Sequence, residues 1–337
     1  MSDKIYLGAI LGADGNYYSG VFEDNLIEKY SAGVSGLLSS DKILEMDRNS
    51  IYSFRQATSE LFITKITQDN HISDFVVDEK ITIGADKSGS IGIDSNYLYV
   101  PFKDAKYTTL KYLRKYIRDT LVSPASISLT DAERVKHTLS DGIHIYCIFN
   151  GDIGIKKYNI ETLELLSEVS NAEGIFNAAN ACQMDEEYIY LGASGKAGVG
   201  NIQKINKETL EISSQSPIIT SNTVTTIIPY EDFLYINMDK SIQKINKETL
   251  ETVSTMPTLA VIWDVDEKHI YTSYQNFVYK YERESLNLIS QYKRDDETRS
   301  FDKISVKDGE IYTYTSKASE IKIYGNIYKL LGYERVS

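Results

Sequence analysis

The chain has 337 residues, of which 42% are hydrophobic, 25% are charged and only 5 are proline. This composition is typical of a globular protein and excludes a disordered, collagen-like or coiled-coil chain. The formal net charge of −12 argues against nucleic acid as a partner, because phosphate backbones repel a protein this acidic unless it concentrates basic residues locally.

The N-terminal sequence MSDKIYLGAILGADG has neither the basic start nor the apolar run of a secretion signal. No stretch approaches the roughly 20 apolar residues that a membrane-spanning helix needs. We therefore expect a protein that is cytoplasmic as synthesised, or that leaves the cell without a leader as a virion component does, with no membrane insertion. Cys147 and Cys182 form no CxxC pattern and have no histidine at metal spacing, so we expect buried thiols, no disulfide, no metal and no cofactor.

A pair formed by an apolar residue and tyrosine recurs along the whole chain, and we call each copy an anchor. The eight anchors are Ile5-Tyr6, Ile51-Tyr52, Leu98-Tyr99, Ile145-Tyr146, Ile189-Tyr190, Leu234-Tyr235, Ile270-Tyr271 and Ile311-Tyr312, spaced by 36 to 47 residues. An aspartate stands four residues before five of them, at Asp47, Asp94, Asp141, Asp185 and Asp266. Because a single calcium site would not recur in nearly every repeat, we interpret these aspartates as hairpin-turn caps. We expect the anchor tyrosines to pack between repeats with their hydroxyls hydrogen-bonded.

A second repeated element follows four of the anchors. It reads IKKYNIETLELL from Ile155, IQKINKETLEIS from Ile202, IQKINKETLETV from Ile242 and VYKYERESLNLI from Val278. Residues 223–256 then divide into four strands, TVTTIIP, FLYINM, SIQKIN and LETVSTM, with turns at 230–232, 239–240 and 247–248. Four short strands at this period, with no helical pattern between them, are typical of a β-propeller blade. The sequence predicts an all-β fold with a single β-propeller domain over residues 1–337.

The number of blades has two solutions. Eight anchors in 337 residues, or about 42 residues per repeat, favour eight four-stranded blades. The first anchor lies at residue 5, however, which leaves no room for a strand ahead of it. A seven-bladed ring, in which the N-terminal strands complete the last blade, therefore stays open.

Residues 102–121 form the one basic segment of the chain. Its basic residues are Lys103, Lys106, Lys111, Arg114, Lys115 and Arg118. In repeat register we interpret this segment as the third and fourth strands of an ordinary blade, with 110–113 in the place of IQKI and Arg114-Lys115 at the turn. The alternative is a helical basic patch that binds nucleic acid or a membrane.

The third turn, KINxETLE, resembles the corresponding turn of YVTN and quinoprotein-like propeller repeats, which commonly reads I-D-x-x-T-G. Asn159, Asn206 and Asn246 take the aspartate place, and leucine replaces glycine. This resemblance, at the level of the repeat, implies a propeller over the whole chain. The repeats of this chain do not resemble WD40 or kelch repeats. The single tryptophan, Trp263, argues against a quinone-dependent dehydrogenase. Similar repeat proteins occur among phage virion and tail-associated components, and the richness in Ile, Lys, Asn and Tyr is similar to phages of low-GC Gram-positive bacteria.

The connections that vary most between repeats are the predicted binding region, since variable loops on a rigid scaffold usually carry function. These connections are 32–41, 82–90, 123–133, 171–177, 192–201, 216–222 and 293–300. The candidate binding residues in or beside them are Phe102, Phe149, Asn150, Phe176, Asn177, Trp263, Tyr274 and Arg299. The alternative is that these side chains only close the mouth of the propeller channel.

Two functions remain. The first is a non-enzymatic binding or assembly module whose partners are other protein subunits or a surface glycan, in its most specific form a phage virion accessory or tail-associated protein. The second is a cytosolic propeller hydrolase or lactonase acting on a sugar lactone or sugar phosphate. That enzyme needs a carboxylate or histidine to activate water beside a phosphate- or metal-binding cluster, and no catalytic residue or motif for it is found in the sequence.

Overall fold

The computed structural model describes a chain built from β-strands. The described residues are 4–11, 17–33, 42–46, 50–56, 61–68, 75–83, 85–87, 90–104, 111–130, 134–150, 154–170, 179–193, 202–216, 223–238, 240–293, 301, 303–307, 310–315 and 320–336. Within these ranges no helix occurs. It follows that none of the described residues belongs to a helix long and apolar enough to span a membrane.

Thirty strands occupy the described ranges. They are β1 (Lys4–Leu11), β2 (Tyr17–Gly33), β3 (Lys42–Met46), β4 (Ser50–Gln56), β5 (Leu61–Gln68), β6 (Phe75–Ile83), β7 (Ala85–Lys87), β8 (Gly92–Ile93), β9 (Tyr97–Asp104), β10 (Lys111–Ile117), β11 (Ala125–Leu129), β12 (Arg134–Ser140), β13 (His144–Asn150), β14 (Ile155–Asn159), β15 (Leu165–Val169), β16 (Ala179–Met184), β17 (Tyr188–Ala193), β18 (Ile202–Asn206), β19 (Ile212–Gln215), β20 (Val224–Tyr230), β21 (Phe233–Met238), β22 (Ser241–Asn246), β23 (Thr252–Pro257), β24 (Val261–Val265), β25 (His269–Tyr274), β26 (Phe277–Glu282), β27 (Leu288–Lys293), β28 (Lys303–Lys307), β29 (Glu310–Thr315) and β30 (Glu320–Val336).

These strands form seven antiparallel sheets in two units. One unit, residues 40–259, holds sheet B (β3–β6), sheet C (β7–β11), sheet D (β12–β15), sheet E (β16–β19) and sheet F (β20–β23). The other unit, residues 1–39 and 260–337, holds sheet G (β24–β27) and sheet A, whose order is β1-β2-β30-β29-β28. In sheets B, D, E, F and G the four strands follow one another in chain order, so each is a simple meander.

Eight anchors fall in seven described sheets because the first and the last anchor share one. Ile5-Tyr6 lies on β1 and Ile311-Tyr312 on β29, and both strands belong to sheet A. β2 pairs with β30 over sixteen residue pairs, from Tyr17↔Val336 to Gly33↔Glu320. A seven-bladed ring requires this pairing. The number of blades in a closed ring stays a prediction, and so does the single domain over residues 1–337.

The strand assignment of 223–256 is confirmed, whereas that of 102–121 needs one correction. Residues 111–117 form a strand, so the segment is not a helix, but Arg114 and Lys115 lie inside β10 rather than at a turn. The turn follows at 118–120, which aligns RDTL with KETL of the other repeats. Lys111 and Lys115 are buried, at 7% and 3% exposure, so these two lysines cannot serve an exposed basic patch.

The third turn is shaped by its asparagine and its leucine. The Asn206 Oδ1 atom accepts hydrogen bonds from the backbone N–H groups of Glu208 (2.8 Å) and Thr209 (3.0 Å). Leu210 then takes a left-handed φ of 59°, a conformation that glycine adopts readily and that costs a residue with a side chain about 1–2 kcal/mol. Leucine is nevertheless present because its side chain is 1% exposed and packs in the core. Leu163, Leu250 and Leu286 repeat this conformation.

Hydrophobic clusters join consecutive sheets of the 40–259 unit. Between sheets D and E, Tyr146, Ile148 and Ile155 pack against Ile189, Leu191, Ile205 and Leu210. Cys147 lies in the cluster that joins sheets C and D, and Cys182 packs beside the D–E cluster. Both cysteines are free thiols as predicted, although Cys182 is only half-buried, and burial raises its pKa.

Candidate functional site

In sheets C, D, E and G the first turn is closed by an aspartate and by the anchor tyrosine. In sheet E, the Asp185 Oδ1 atom accepts hydrogen bonds from the backbone N–H groups of Glu187 (3.1 Å) and Tyr188 (2.9 Å). The Tyr190 hydroxyl donates to Asp185 Oδ2 at 2.8 Å. The same arrangement joins Asp94 to Tyr99, Asp141 to Tyr146 and Asp266 to Tyr271. The predicted capping role is confirmed for these four aspartates, whereas Asp47 lies outside the described residues, and the four tyrosines are buried with their hydroxyls hydrogen-bonded.

Lysines carry these contacts from one sheet to the next. The third-strand Lys115 Nζ atom of sheet C donates to the Ile160 carbonyl of sheet D at 2.8 Å, and Lys157 of sheet D donates to the Lys207 carbonyl of sheet E at 3.3 Å. In the opposite direction, Lys207 Nζ lies 3.3 Å from Asp141 Oδ2 of sheet D. Lys247 of sheet F makes the same ion pair with Asp185 of sheet E at 2.8 Å.

These partners control the ionisation of Asp141. Burial by itself raises the pKa of this carboxyl group, but the hydrogen bonds from His144, Ile143 and Tyr146, together with the charge of Lys207, outweigh burial and lower the pKa from 3.8 to about 2. The carboxylate is therefore ionised at neutral pH. Its role is structural, because each of these partners fixes a turn or a neighbouring sheet.

Two adjoining grooves lie on the side of the 40–259 unit where the first and third turns meet, and we call them the turn-side grooves. The DE groove, of about 880 Å³, lies among residues 141–146, 184–187 and 206–208. The EF groove, of about 930 Å³, lies among residues 185–190, 230–233 and 246–248. Asp185, Glu186, Glu187 and Pro229 line both grooves, so the two form one continuous depression across three sheets.

The grooves combine acidic rims with aromatic walls. Glu186, Glu187, Asp232 and Glu248 are exposed, and none of their carboxylates has an ion-pair partner among the described residues. The aromatic faces attract ammonium groups, as the chain's own lysines show. Lys204 Nζ lies 4.0 Å above the Tyr188 ring, and Lys244 Nζ lies 4.1 Å from the Phe233 ring centroid. The surface is therefore suited to a positively charged ligand.

The first strand of several sheets carries a β-bulge, in which one extra residue interrupts the pairing with the second strand. In sheets D, E and F the extra residues are Lys136, Asn180 and Thr225, each nine residues before the anchor. In sheets B and G they are Leu44 and Trp263, seven residues before the anchor. Bulges redirect side chains and are frequent beside functional sites. We call Lys136, Asn180 and Thr225 the bulge row.

The structure does not gather the sequence-predicted binding residues into one site. Phe102 and Phe149 are buried in two different core clusters. Asn150 ends β13, Tyr274 is 38% exposed at the tip of the β25–β26 hairpin, and Trp263 is half-buried with its Nε1–H donating to Ser273 Oγ at 2.8 Å. Phe176, Asn177 and Arg299 lie outside the described residues, as do most of the variable loops. The binding role of these residues stays a prediction.

Other titratable residues near the first turns have structural roles. His144 and His269 enter their strands beside the capping aspartates, which accept their backbone N–H groups at 2.7 Å. Asp264, next to the acidic run at 266–267, accepts a hydrogen bond from the Val306 backbone N–H at 2.8 Å. No three His, Cys, Asp or Glu side chains within the described ranges are grouped as metal ligands.

Sequence reasoning missed both the grooves and the bulge row. The groove acids lie in three separate segments of the sequence, MDEEY, YED and KET. They form one surface only because neighbouring sheets lie side by side. The bulged residues follow no motif, because an extra residue is visible only from strand pairing. The usable signal was a polar residue nine positions before the anchor in three consecutive repeats.

Solved structures similar to this chain are β-propellers. No protein-family model matches the chain, and no curated protein matches its sequence. BamB from Moraxella catarrhalis is 10% identical, with a TM-score of 0.57 over 89% of this chain and 97% of its own. The Cps50 (Swd1) β-propeller domain from Myceliophteria thermophila is 12% identical, with a TM-score of 0.62 over 89% of this chain and 99% of its own. At these identities the similarity shows the fold alone, and the chain has an all-β fold of the β-propeller class.

Proposed function

We propose that this protein is a non-enzymatic binding and assembly module that docks a protein partner in its turn-side grooves. The observation that carries the proposal is the continuous depression across sheets D, E and F, with volumes of about 880 and 930 Å³. Its exposed, unpaired carboxylates stand beside aromatic rings that already hold ammonium groups. The complementary ligand is an extended segment that carries lysine or arginine.

The chain's own lysines indicate how such a segment would bind. Lys247 pairs with Asp185 at 2.8 Å inside the EF groove, and Lys204 covers one face of Tyr188 in the same groove. A partner's cation would make the same ion pair with Glu186, Glu187 or Asp232, which the protein leaves unpaired among its described residues, and the cation–π contact with an aromatic ring of the groove. Two grooves side by side give room for several consecutive side chains, which supports a peptide segment rather than a small molecule.

The assembly that we propose is a phage particle, with this chain as a virion accessory or tail-associated protein of the YVTN-like repeat type. Support comes from the repeat sequence KINxETLE and from the composition rich in Ile, Lys, Asn and Tyr. The protein would be cytoplasmic as synthesised and would join the particle there. A surface glycan is the alternative partner, through the loops that carry Trp263 and Tyr274.

The proposal is tested with a fluorescent hexalysine peptide as the probe, measured by fluorescence polarisation at several salt concentrations. The double variant Glu186→Lys/Glu187→Lys reverses charge in both grooves and should weaken binding at least about tenfold, since each close charge pair contributes about 1 kcal/mol. The control, Glu211→Lys/Glu251→Lys, makes the same charge change at exposed positions that do not line the grooves. Equal loss in both variants would show that only net charge matters and would refute the grooves as the site. Electron microscopy of particles tests the phage assignment separately.

A further inference from the structure

The bulge row is a second feature, independent of the turn-side grooves. In sheets D, E and F the extra residue stands at the same register, opposite Phe149, Ala193 and Met238 at the loop end of the second strand. β12 contacts β16, and β16 contacts β20, so the three bulges lie on consecutive neighbouring strands. The three residues of the row occupy equivalent backbone positions in three sheets but have different side chains: Lys136, Asn180 and Thr225.

Lys136 differs from those buried and half-buried lysines of this unit that pair with an acid. Its Nζ atom is 3.5 Å from Asn180 Oδ1, and no carboxylate of a described residue lies within ion-pair distance. Lys157, Lys207 and Lys247, in contrast, each approach an acid within 3.6 Å. Burial lowers the pKa of Lys136, and no neighbouring negative charge raises it. Among the described residues, Lys136 thus presents a partly desolvated cation without a counter-charge.

The other two members add hydrogen-bond donors. Because Asn180 uses Oδ1 to accept from Lys136, its Nδ2 group is left to donate, and it makes no further bond with the described residues. The Thr225 hydroxyl, on the next strand, also has no partner among them. Asn180 and Thr225 are exposed, so a ligand can reach the row. An ammonium, an amide N–H and a hydroxyl together suit a group that only accepts hydrogen bonds.

We propose that the bulge row binds the anionic group, a carboxylate or a phosphate, of a small ligand or of an acidic sugar. Lys136 supplies the charge, while Asn180 and Thr225 orient the oxygen atoms. A charge-assisted hydrogen bond of this kind is about twice as strong as a neutral one, and Lys136 gains more because it is partly desolvated. The site goes beyond the proposed protein docking, since it lies on the first strands and recognises the opposite charge.

The test is isothermal titration calorimetry of the full chain with inorganic phosphate and with glucuronate, at constant ionic strength and pH 7. We expect binding of at least one anion and a Kd that rises about tenfold or more in Lys136→Met, because a hydrogen bond to a charged group is lost. The phosphate and glucuronate titrations distinguish the two sources of the anion.

Two further variants keep the result interpretable. Lys136→Arg retains the charge and should retain binding, which shows that loss in Lys136→Met is not caused by misfolding. Lys240→Met removes an exposed lysine from the β21–β22 turn and should leave the Kd unchanged. The proposal is overturned if neither anion binds, or if the Kd is the same in the wild type, Lys136→Met and Asn180→Ala.

Discussion

The left-handed leucine of the third turn allows a direct test of how backbone strain and burial are balanced. Leu210 has a φ of 59° and is 1% exposed, and Leu191 lies in the same hydrophobic cluster at 0% exposure without a positive φ. Replacing either leucine by alanine should cost about 2–5 kcal/mol of the free energy of unfolding, because a cavity is left. The informative comparison is between the alanine and the glycine variants at each position.

At Leu191, glycine should be less stable than alanine by about 1.5 kcal/mol. About 0.8 kcal/mol comes from the lost buried methyl group and about 0.7 kcal/mol from the extra backbone entropy of glycine. At Leu210 the same two losses apply, but glycine also relieves a left-handed strain of about 1–2 kcal/mol. The glycine and alanine variants of Leu210 should therefore have nearly the same stability.

The assay is urea unfolding of the four variants, Leu210→Ala, Leu210→Gly, Leu191→Ala and Leu191→Gly, followed by circular dichroism. The quantity of interest is the difference between the glycine and alanine free energies of unfolding at each position, in which the cost of the cavity cancels. If glycine is worse than alanine by the same amount at both positions, the leucine conformation stores no strain and the reasoning fails.

Three further predictions concern contacts within the 40–259 unit. A Cβ atom on Gly192 would lie 2.5 Å from Val224 Cγ1. Gly192→Ala should therefore lower the free energy of unfolding by about 1–3 kcal/mol. In a double-mutant cycle, adding Val224→Ala should recover part of that loss. Tyr190→Phe should cost about 1.5–3 kcal/mol in urea unfolding, because the buried hydroxyl donates to the charged Asp185; an unchanged midpoint would contradict this role. The pKa of Asp141 is lowered from 3.8 to about 2, so its ionised form stabilises the fold above about pH 4 and this contribution is lost as the pH falls towards 2. Asp141→Asn should therefore unfold more easily than the wild type at pH 7, with a gap that narrows below pH 4 in thermal unfolding scans.

The sequence predicts those parts of the fold that depend on local chemistry. Asp185 and Tyr190 could be assigned as cap and buried anchor because turn bonding and strand alternation act within a few residues. The predicted register of 102–121 is wrong because this repeat lacks the asparagine of the third turn. Only RDTL, at 118–121, corresponds to the KETL of the other repeats. Trp263 is conspicuous in the sequence as the single tryptophan, yet the bulge at this residue depends on pairing with β25, which no local pattern encodes.

The candidate sites could not be predicted because they combine residues from separate repeats. Glu187 and Asp232 are 45 residues apart in sequence and line one groove, and Lys136 and Asn180 are 44 residues apart and in contact. Each residue alone has an ordinary explanation, as a turn acid or a strand residue. Their chemistry follows from the spacing between sheets, which depends on packing over the whole unit.

The lysine links between sheets also bear on how such a chain can change length. Sheet B joins sheet C through Lys65 and the Asp119 carbonyl at 3.1 Å, and sheets C to D and D to E repeat the same link. At these three junctions, a repeat offers a donor on its third strand and the next repeat offers an acceptor at its third turn. A gene segment that encodes one repeat could be duplicated or lost by unequal recombination, and the new junction would inherit a matching donor and acceptor. The repeat of 36 to 47 residues thus carries in one segment of sequence both the donor for one junction and the acceptor for another.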